Sequence, residues 1–125
     1  MNDTNSIPEN VLPMTPAVFN ILLALADGEK HGYAIMLEVE TNTHGTVKMG
    51  PGTLYGSIKR MLASGLIEEV GERLDESIDD QRRRYYRLSE LGRQALKMEA
   101  ERLSLQVELA HRKHVLGLES PGWSE

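Results

Sequence analysis

The 125-residue chain contains no cysteine, which excludes a disulfide framework, a thiolate metal site and a cysteine nucleophile. A reducing compartment fits this, and a cytoplasmic location is expected. Long apolar runs are missing as well. No stretch approaches the ~20 residues that a bilayer-spanning helix needs, and no signal-peptide pattern opens the chain, so no membrane partner is expected. Net positive charge, the usual footprint of nucleic-acid binding, is also lacking: 14 Lys and Arg stand against 19 Asp and Glu, for a formal net charge of -5. Glycine-rich phosphate loops, nucleophile elbows and HExxH pairs do not occur. His111 and His114 lie three apart but have no third candidate ligand. Glu68-Glu69 and Asp79-Asp80 fall in an acidic polar stretch rather than a pocket. Neither enzymatic activity nor a metal or cofactor is expected.

What the chain has fits one globular domain: 40% hydrophobic and 26% charged residues, long enough for one core. Its charges are sorted into blocks. Between 68 and 80 seven acids face one arginine, whereas between 51 and 65 Lys59 and Arg60 stand without an acid. Arg82-Arg83-Arg84-Tyr85-Tyr86-Arg87 packs four cations and two tyrosines into six residues. Guanidinium forks beside phenol hydroxyls suit a phosphate backbone. A solvated edge strand guarded by charge against aggregation accounts for the same run. A local positive patch survives a negative total, so distribution outweighs the sum.

Residues 1–14 are polar, contain Pro8 and Pro13, lack any period and read as a mobile arm. Thr15-Pro16 marks a helix start, followed by apolar residues at helical spacing from Val18 to Ala26 and a stop at 27–30. A second helix is expected from Gly32 to about Asn42, and a third after Gly50-Pro51-Gly52-Thr53. Leu54, Ile58, Met61 and Leu62 form the core stripe of the third. Thr53, Tyr55, Gly56, Ser57, Lys59 and Arg60 are left outward. Leu66 to Arg73, an acidic turn at 74–80, and Arg82 to Leu88 form a hairpin. Ser89 then caps a long helix to about Leu116 with two apolar stripes roughly 150° apart. One holds Leu91, Ala95, Met98, Leu105, Leu109 and Leu116; the other holds Leu96, Ala100, Leu103, Val107 and Ala110. Two stripes ask for two packing partners, one of them a second copy of the chain through the Leu96 stripe.

The order α-α-α-β-β followed by a long C-terminal helix is that of a winged helix-turn-helix: a mainly α fold with a small β-hairpin. In this arrangement the third helix enters a major groove and the hairpin lies against flanking backbone. The expected units are an arm over 1–14, a DNA-binding domain over 15–88, a dimerisation helix over 89–118 and a tail over 119–125. Gly56 costs about 1 kcal/mol relative to alanine inside a helix. It serves either close approach to DNA or close packing against another helix. The expected DNA contacts are Thr53, Tyr55, Ser57, Lys59, Arg60, Arg82, Arg83, Arg84 and Tyr86.

Four blocks recur together in one order: His31-Gly32-Tyr33; Gly52-Thr53-Leu54-Tyr55 running into Lys59-Arg60-Met61-Leu62; Gly65-Leu66-Ile67; and Arg83-Arg84-Tyr85-Tyr86-Arg87-Leu88-Ser89 with Gly92. In these the chain resembles the PadR family of bacterial transcriptional regulators, over roughly Thr15 to Leu96. The resemblance implies a winged-helix repressor that forms homodimers through its C-terminal helix. It also implies binding to a palindromic double-stranded operator and modulation by a small hydrophobic effector. Tyr33, Thr53, Tyr55, Lys59 and Arg84 are its implied DNA contacts; Leu54, Leu62, Leu66 and Ile67 its implied core. A single helix after the hairpin resembles the short subfamily. The acidic hairpin turn repels phosphate, which leaves the arginines to touch backbone from the strand itself. The rival reading is a winged-helix module for protein contacts, its net charge matched by a basic partner.

Overall fold

The computed structural model of the protein describes residues 11–75 and 81–117. Most of the expected arm, the tip of the acidic turn at 76–80, and the tail with Trp123 lie outside them. Four helices and three strands follow in the order α1 (Pro16–Ala24), β1 (Lys30–His31), α2 (Gly32–Asn42), α3 (Pro51–Ala63), β2 (Ile67–Asp75), β3 (Gln81–Leu88) and α4 (Glu90–Arg112).

Local chemistry sets the helix starts. Thr15 Oγ1 accepts the Val18 N–H at 3.1 Å, with Pro16 in the first turn. His31 Nδ1 caps α2 by accepting the Ala34 N–H at 3.1 Å. Ser89 caps α4 by accepting the Gly92 N–H at 2.9 Å, and its own hydroxyl donates to the Gly65 carbonyl. Gly92 permits this docking. A Cβ there would run into the Leu66 carbonyl, so no other residue lets α4 start so close to the chain entering β2.

The core gathers Ile21, Leu22 and Leu25 around α1, Ile35 and Val39 from α2, Leu54, Ile58 and Met61 from α3, and Ile67, Leu88, Ala95 and Leu96 from the elements beyond. The sheet order is β1-β3-β2, all antiparallel. The strand β1 falls where the sequence reads only as a helix stop. It pairs Lys30 with Tyr86 and His31 with Tyr85. Two residues carry no alternation, so nothing in the pattern announces it. The sequence also hides a β-bulge between Glu69 and Gly71. Gly71 holds φ at +113°, a backbone conformation open chiefly to glycine.

Two expectations need correction. The arm does not remain free through residue 14: Val11 and Leu12 pack on the core and Met14 is buried. The Met14 N–H donates to Glu99 Oε2 of α4 at 3.1 Å. Apolar side chains at 11, 12 and 14 gain more by covering the core than by staying in water. Nor is the Leu96 stripe of α4 wholly available to a partner, because Leu96 is buried in this chain's own core. The buried set Gly92, Ala95, Leu96 and Glu99 lies between the two stripes, so the base of α4 spends both on its own domain. Beyond Glu99 the helix leaves the core. Ala100 is exposed, Leu103, Val107 and Ala110 are half-buried, and Met98, Leu105 and Leu109 are exposed. Among the described residues no helix is long and apolar enough to cross a membrane.

Candidate nucleic-acid interface

The helix α3 presents a side opposite its buried residues Leu54, Ser57, Ile58 and Met61. Thr53, Tyr55 and Lys59 are exposed there, as the spacing requires. Its N-cap, Gly50, offers no side-chain acceptor to the first-turn amides. Those N–H groups and the helix dipole favour an anion at this end. Ser57 is a correction: it is only 3% exposed, and its Oγ accepts from Arg60 Nη2 at 3.2 Å. At about 100° per residue, Ser57 falls on the Leu54–Met61 side, and its small hydroxyl is tolerated inside because Arg60 satisfies it. Arg60 itself is exposed and lies about 20° around the helix from Thr53, at the edge of the outward face away from Tyr55. It borders a cleft of about 270 Å³ with Pro13, Met14, Thr15, Val18, Met61 and Ser64 among the lining residues.

The second element of the surface is the β2–β3 hairpin, joined to α2 and α3 through tyrosines. Tyr55 lies directly against Gly32, where any Cβ would collide with its ring and hydroxyl. Tyr33 is exposed at the start of α2, with the Arg83 guanidinium 5.3 Å from its ring centroid. The Arg73 guanidinium stands 4.5 Å over Tyr85, and His31 meets Tyr85 edge-on at 5.3 Å. Arg73 also pairs with Glu29. Tyr33 and Arg83 are thus brought together, but as partners of each other.

Tyr86 is the second correction. Strand alternation turns Tyr86 and Leu88 inward together, and Tyr86 is 4% exposed. Burial pushes its phenol pKa up; nearby Glu69 and Tyr55 add to this, and Arg84 partly offsets it. It is a core residue beneath the surface rather than a contact on it. Arg84 is exposed, with Glu72 Oε2 at 3.5 Å and Glu69 Oε1 at 3.8 Å. Arg87 pairs with Glu68 at 2.9 Å. Arg82 lies on β3 opposite Leu74; its side chain falls outside what is described. Sequence reading therefore missed the carboxylates Glu68, Glu69 and Glu72 as partners of the basic run. The available signal was the matched placement of acids on one strand and arginines on the next. Pairs this exposed contribute about 0–1 kcal/mol each, so a phosphate can replace the carboxylate at small cost.

Three helices, of which α3 has an exposed polar face, followed by a basic hairpin and a long helix define a winged helix-turn-helix. The chain belongs to the PadR-like family of transcriptional regulators, whose model matches residues 21–98. It is 40% identical over 77 residues to the transcriptional regulator Rv3488 of Mycobacterium tuberculosis, covering 62% of this chain and 65% of that one. It is 36% identical over 85 residues to an uncharacterized 37.1 kDa protein of transposon TN4556 from Streptomyces fradiae, covering 67% of this chain and 22% of the relative. The chain thus spans less than two thirds of either curated relative. The fold is similar to that of a PadR family regulator from Clostridium difficile, with a TM-score of 0.63, 21% identity, and coverage of 78% of this chain and 97% of that one. It is also similar to Bacillus subtilis PadR, solved in complex with operator DNA: TM-score 0.54, 18% identity, 86% of this chain and 51% of that one.

Proposed function

We propose that the protein is a sequence-specific DNA-binding repressor that acts as a homodimer on a palindromic operator, without catalytic activity, in the cytoplasm. Residues 15–88 form the DNA-binding unit, and the segment from 89 onward is the dimerising unit, its helix α4 ending at Arg112 rather than near Leu116. The observation that carries this is the corner where α3 meets α2 and the hairpin: exposed Tyr55 is seated on Gly32 of α2, and Tyr55 and Arg84 both lie close enough to buried Tyr86 of β3 to act on its phenol. One surface thereby offers Thr53, Tyr55 and Lys59 to base edges and nearby phosphates, with Arg83 and Arg84 for the flanking backbone. The operator complex of Bacillus subtilis PadR supports the same use of a similar fold. A small hydrophobic effector finds apolar walls in the cleft bordered by Arg60, from which its binding can be transmitted to α3.

Selection of bound sequences from random duplex DNA at about 50 mM salt tests the reading. The expected result is a palindrome with half-sites about one helical turn apart. Failure to enrich any sequence, together with no retention of duplex at that salt, would sink it. A second reading, a winged-helix module for protein contacts, draws on the ion-paired state of Arg73, Arg84 and Arg87. A dimer that ignores DNA but holds one basic protein partner would favour that alternative.

A further inference from the structure

The bulge in β2 has a chemical result. In a regular strand, residues 69 and 72 point to opposite faces, because side chains alternate. Here Glu69 is opposite Tyr86 and Glu72 is opposite Arg84, while Val70 is the extra residue between Glu69 and Gly71. Tyr86 and Arg84 are two apart on β3 and share a face, so the bulge puts Glu69 and Glu72 on that face together. Both carboxylates converge on one guanidinium, at 3.8 and 3.5 Å. All three groups remain open to water, with side-chain exposures of 36% for Glu69, 47% for Glu72 and 63% for Arg84. Glu69, Arg84 and Tyr55 of α3 all lie close enough to buried Tyr86 to act on its phenol. Arg84 thus sits in a cluster of net charge -1.

We infer that Glu69 and Glu72 restrain Arg84 and so limit the protein's sequence-independent affinity for DNA. The inference rests on the operator-binding reading. A phosphate approaching this corner must take Arg84 from two carboxylates and then remain beside them. Random sequence offers only phosphate contacts, so this penalty falls on its whole binding energy. An operator adds base contacts from α3, which the carboxylates do not oppose. A unit charge about 6 Å from a phosphate in water-like surroundings changes affinity on the order of threefold.

The test compares E69Q/E72Q with wild type on random-sequence duplex and on the selected operator, across a salt series. Glutamine keeps the shape and acceptors while removing the charge. The expected result is roughly tenfold tighter binding to random duplex at low salt, with a log–log salt slope steeper by about 0.9 for the phosphate newly engaged. The gain should shrink in an Arg84→Ala background. The gain of E72Q alone should also exceed that of Glu68→Gln, which likewise removes one charge, beside Arg87. Melting temperatures report whether the fold is intact, and E72Q alone carries the test if the double variant melts early. Weaker binding to every duplex would overturn the inference, because the carboxylates would then be presenting Arg84 to DNA. An equal gain without Arg84, or with Glu68→Gln, reduces the effect to bulk charge and also overturns it. A change confined to one base pair would make the carboxylates readers of a base instead. If wild type binds its operator and the variant gains nothing on random duplex, this inference alone fails. If neither binds DNA at low salt, the operator reading fails with it.

Discussion

Gly56 sits in the middle of α3, where glycine costs about 1 kcal/mol against alanine. Sequence alone leaves two explanations, close packing or close approach by an outside partner. A Cβ at this position would have only the Arg60 guanidinium near it, at 3.6 Å, and no neighbouring helix. Packing inside the protein therefore does not require the glycine. Close approach of the proposed DNA partner to α3 is the explanation that is left. Gly56→Ala is expected to raise Tm by about 4 °C, the scale of 1 kcal/mol in a domain of this size. It is also expected to weaken operator binding by about tenfold, as one close contact of roughly 1.4 kcal/mol is lost. Thermal melts and gel shifts on the same variant check both, and parallel gains in stability and affinity would contradict the assignment. Ser57 and Tyr86 teach the converse. Both are polar residues beside true surface positions, and only the exact phase of the helix and strand shows that they point inward.

At the scale of elements, legibility followed length and chemistry. The Thr15-Pro16 start, the span of α2 and the stripe Leu54, Ile58, Met61 were all readable, because caps and a period of 3.6 are local signals. The two-residue β1 and the bulge at Gly71 were not, since each is fixed by a partner strand rather than by its own sequence. The helix α4 shows a third limit. Its two stripes were visible, but not that its first turns would bury parts of both while its later turns left the core. Leu105 and Leu109 are 66% and 39% exposed, and a second copy of the chain is their proposed cover. The double variant Leu105→Glu, Leu109→Glu is expected to keep the fold but to dissociate the dimer. Burying carboxylates in an apolar contact costs several kcal/mol, so association should weaken by more than about a hundredfold. Sedimentation equilibrium measures this, and an unchanged dimer would move the interface elsewhere.

Across the whole molecule, Glu99 ties distant parts of the chain together. It is 1% exposed, accepts two hydrogen bonds from Arg102 at 2.8 and 2.7 Å, and holds the Met14 N–H. The Arg102 guanidinium first, and the Met14 amide with it, hold its carboxyl below the ordinary value of 4.5 despite burial. A carboxyl lowered on folding stabilises the native state above its ordinary value and loses that contribution as pH falls through the folded value. Wild type should therefore melt above Glu99→Gln at neutral pH, and the two should converge as pH drops below 4.5. Melting curves between pH 7 and 3 follow this, and a constant gap would show that Glu99 does not titrate in that range. The same helix has a geometric consequence. Its base is fixed to the domain by Gly92, Ala95, Leu96 and Glu99, while its far end carries the exposed leucines. The stretch between them works as a phase shaft: one residue inserted there turns the far end by about 100° and advances it by 1.5 Å. In a dimer joined at that end, such an insertion re-aims the two recognition helices against each other. The spacing of the DNA half-sites is then written in the length of α4, far from any residue that touches a base.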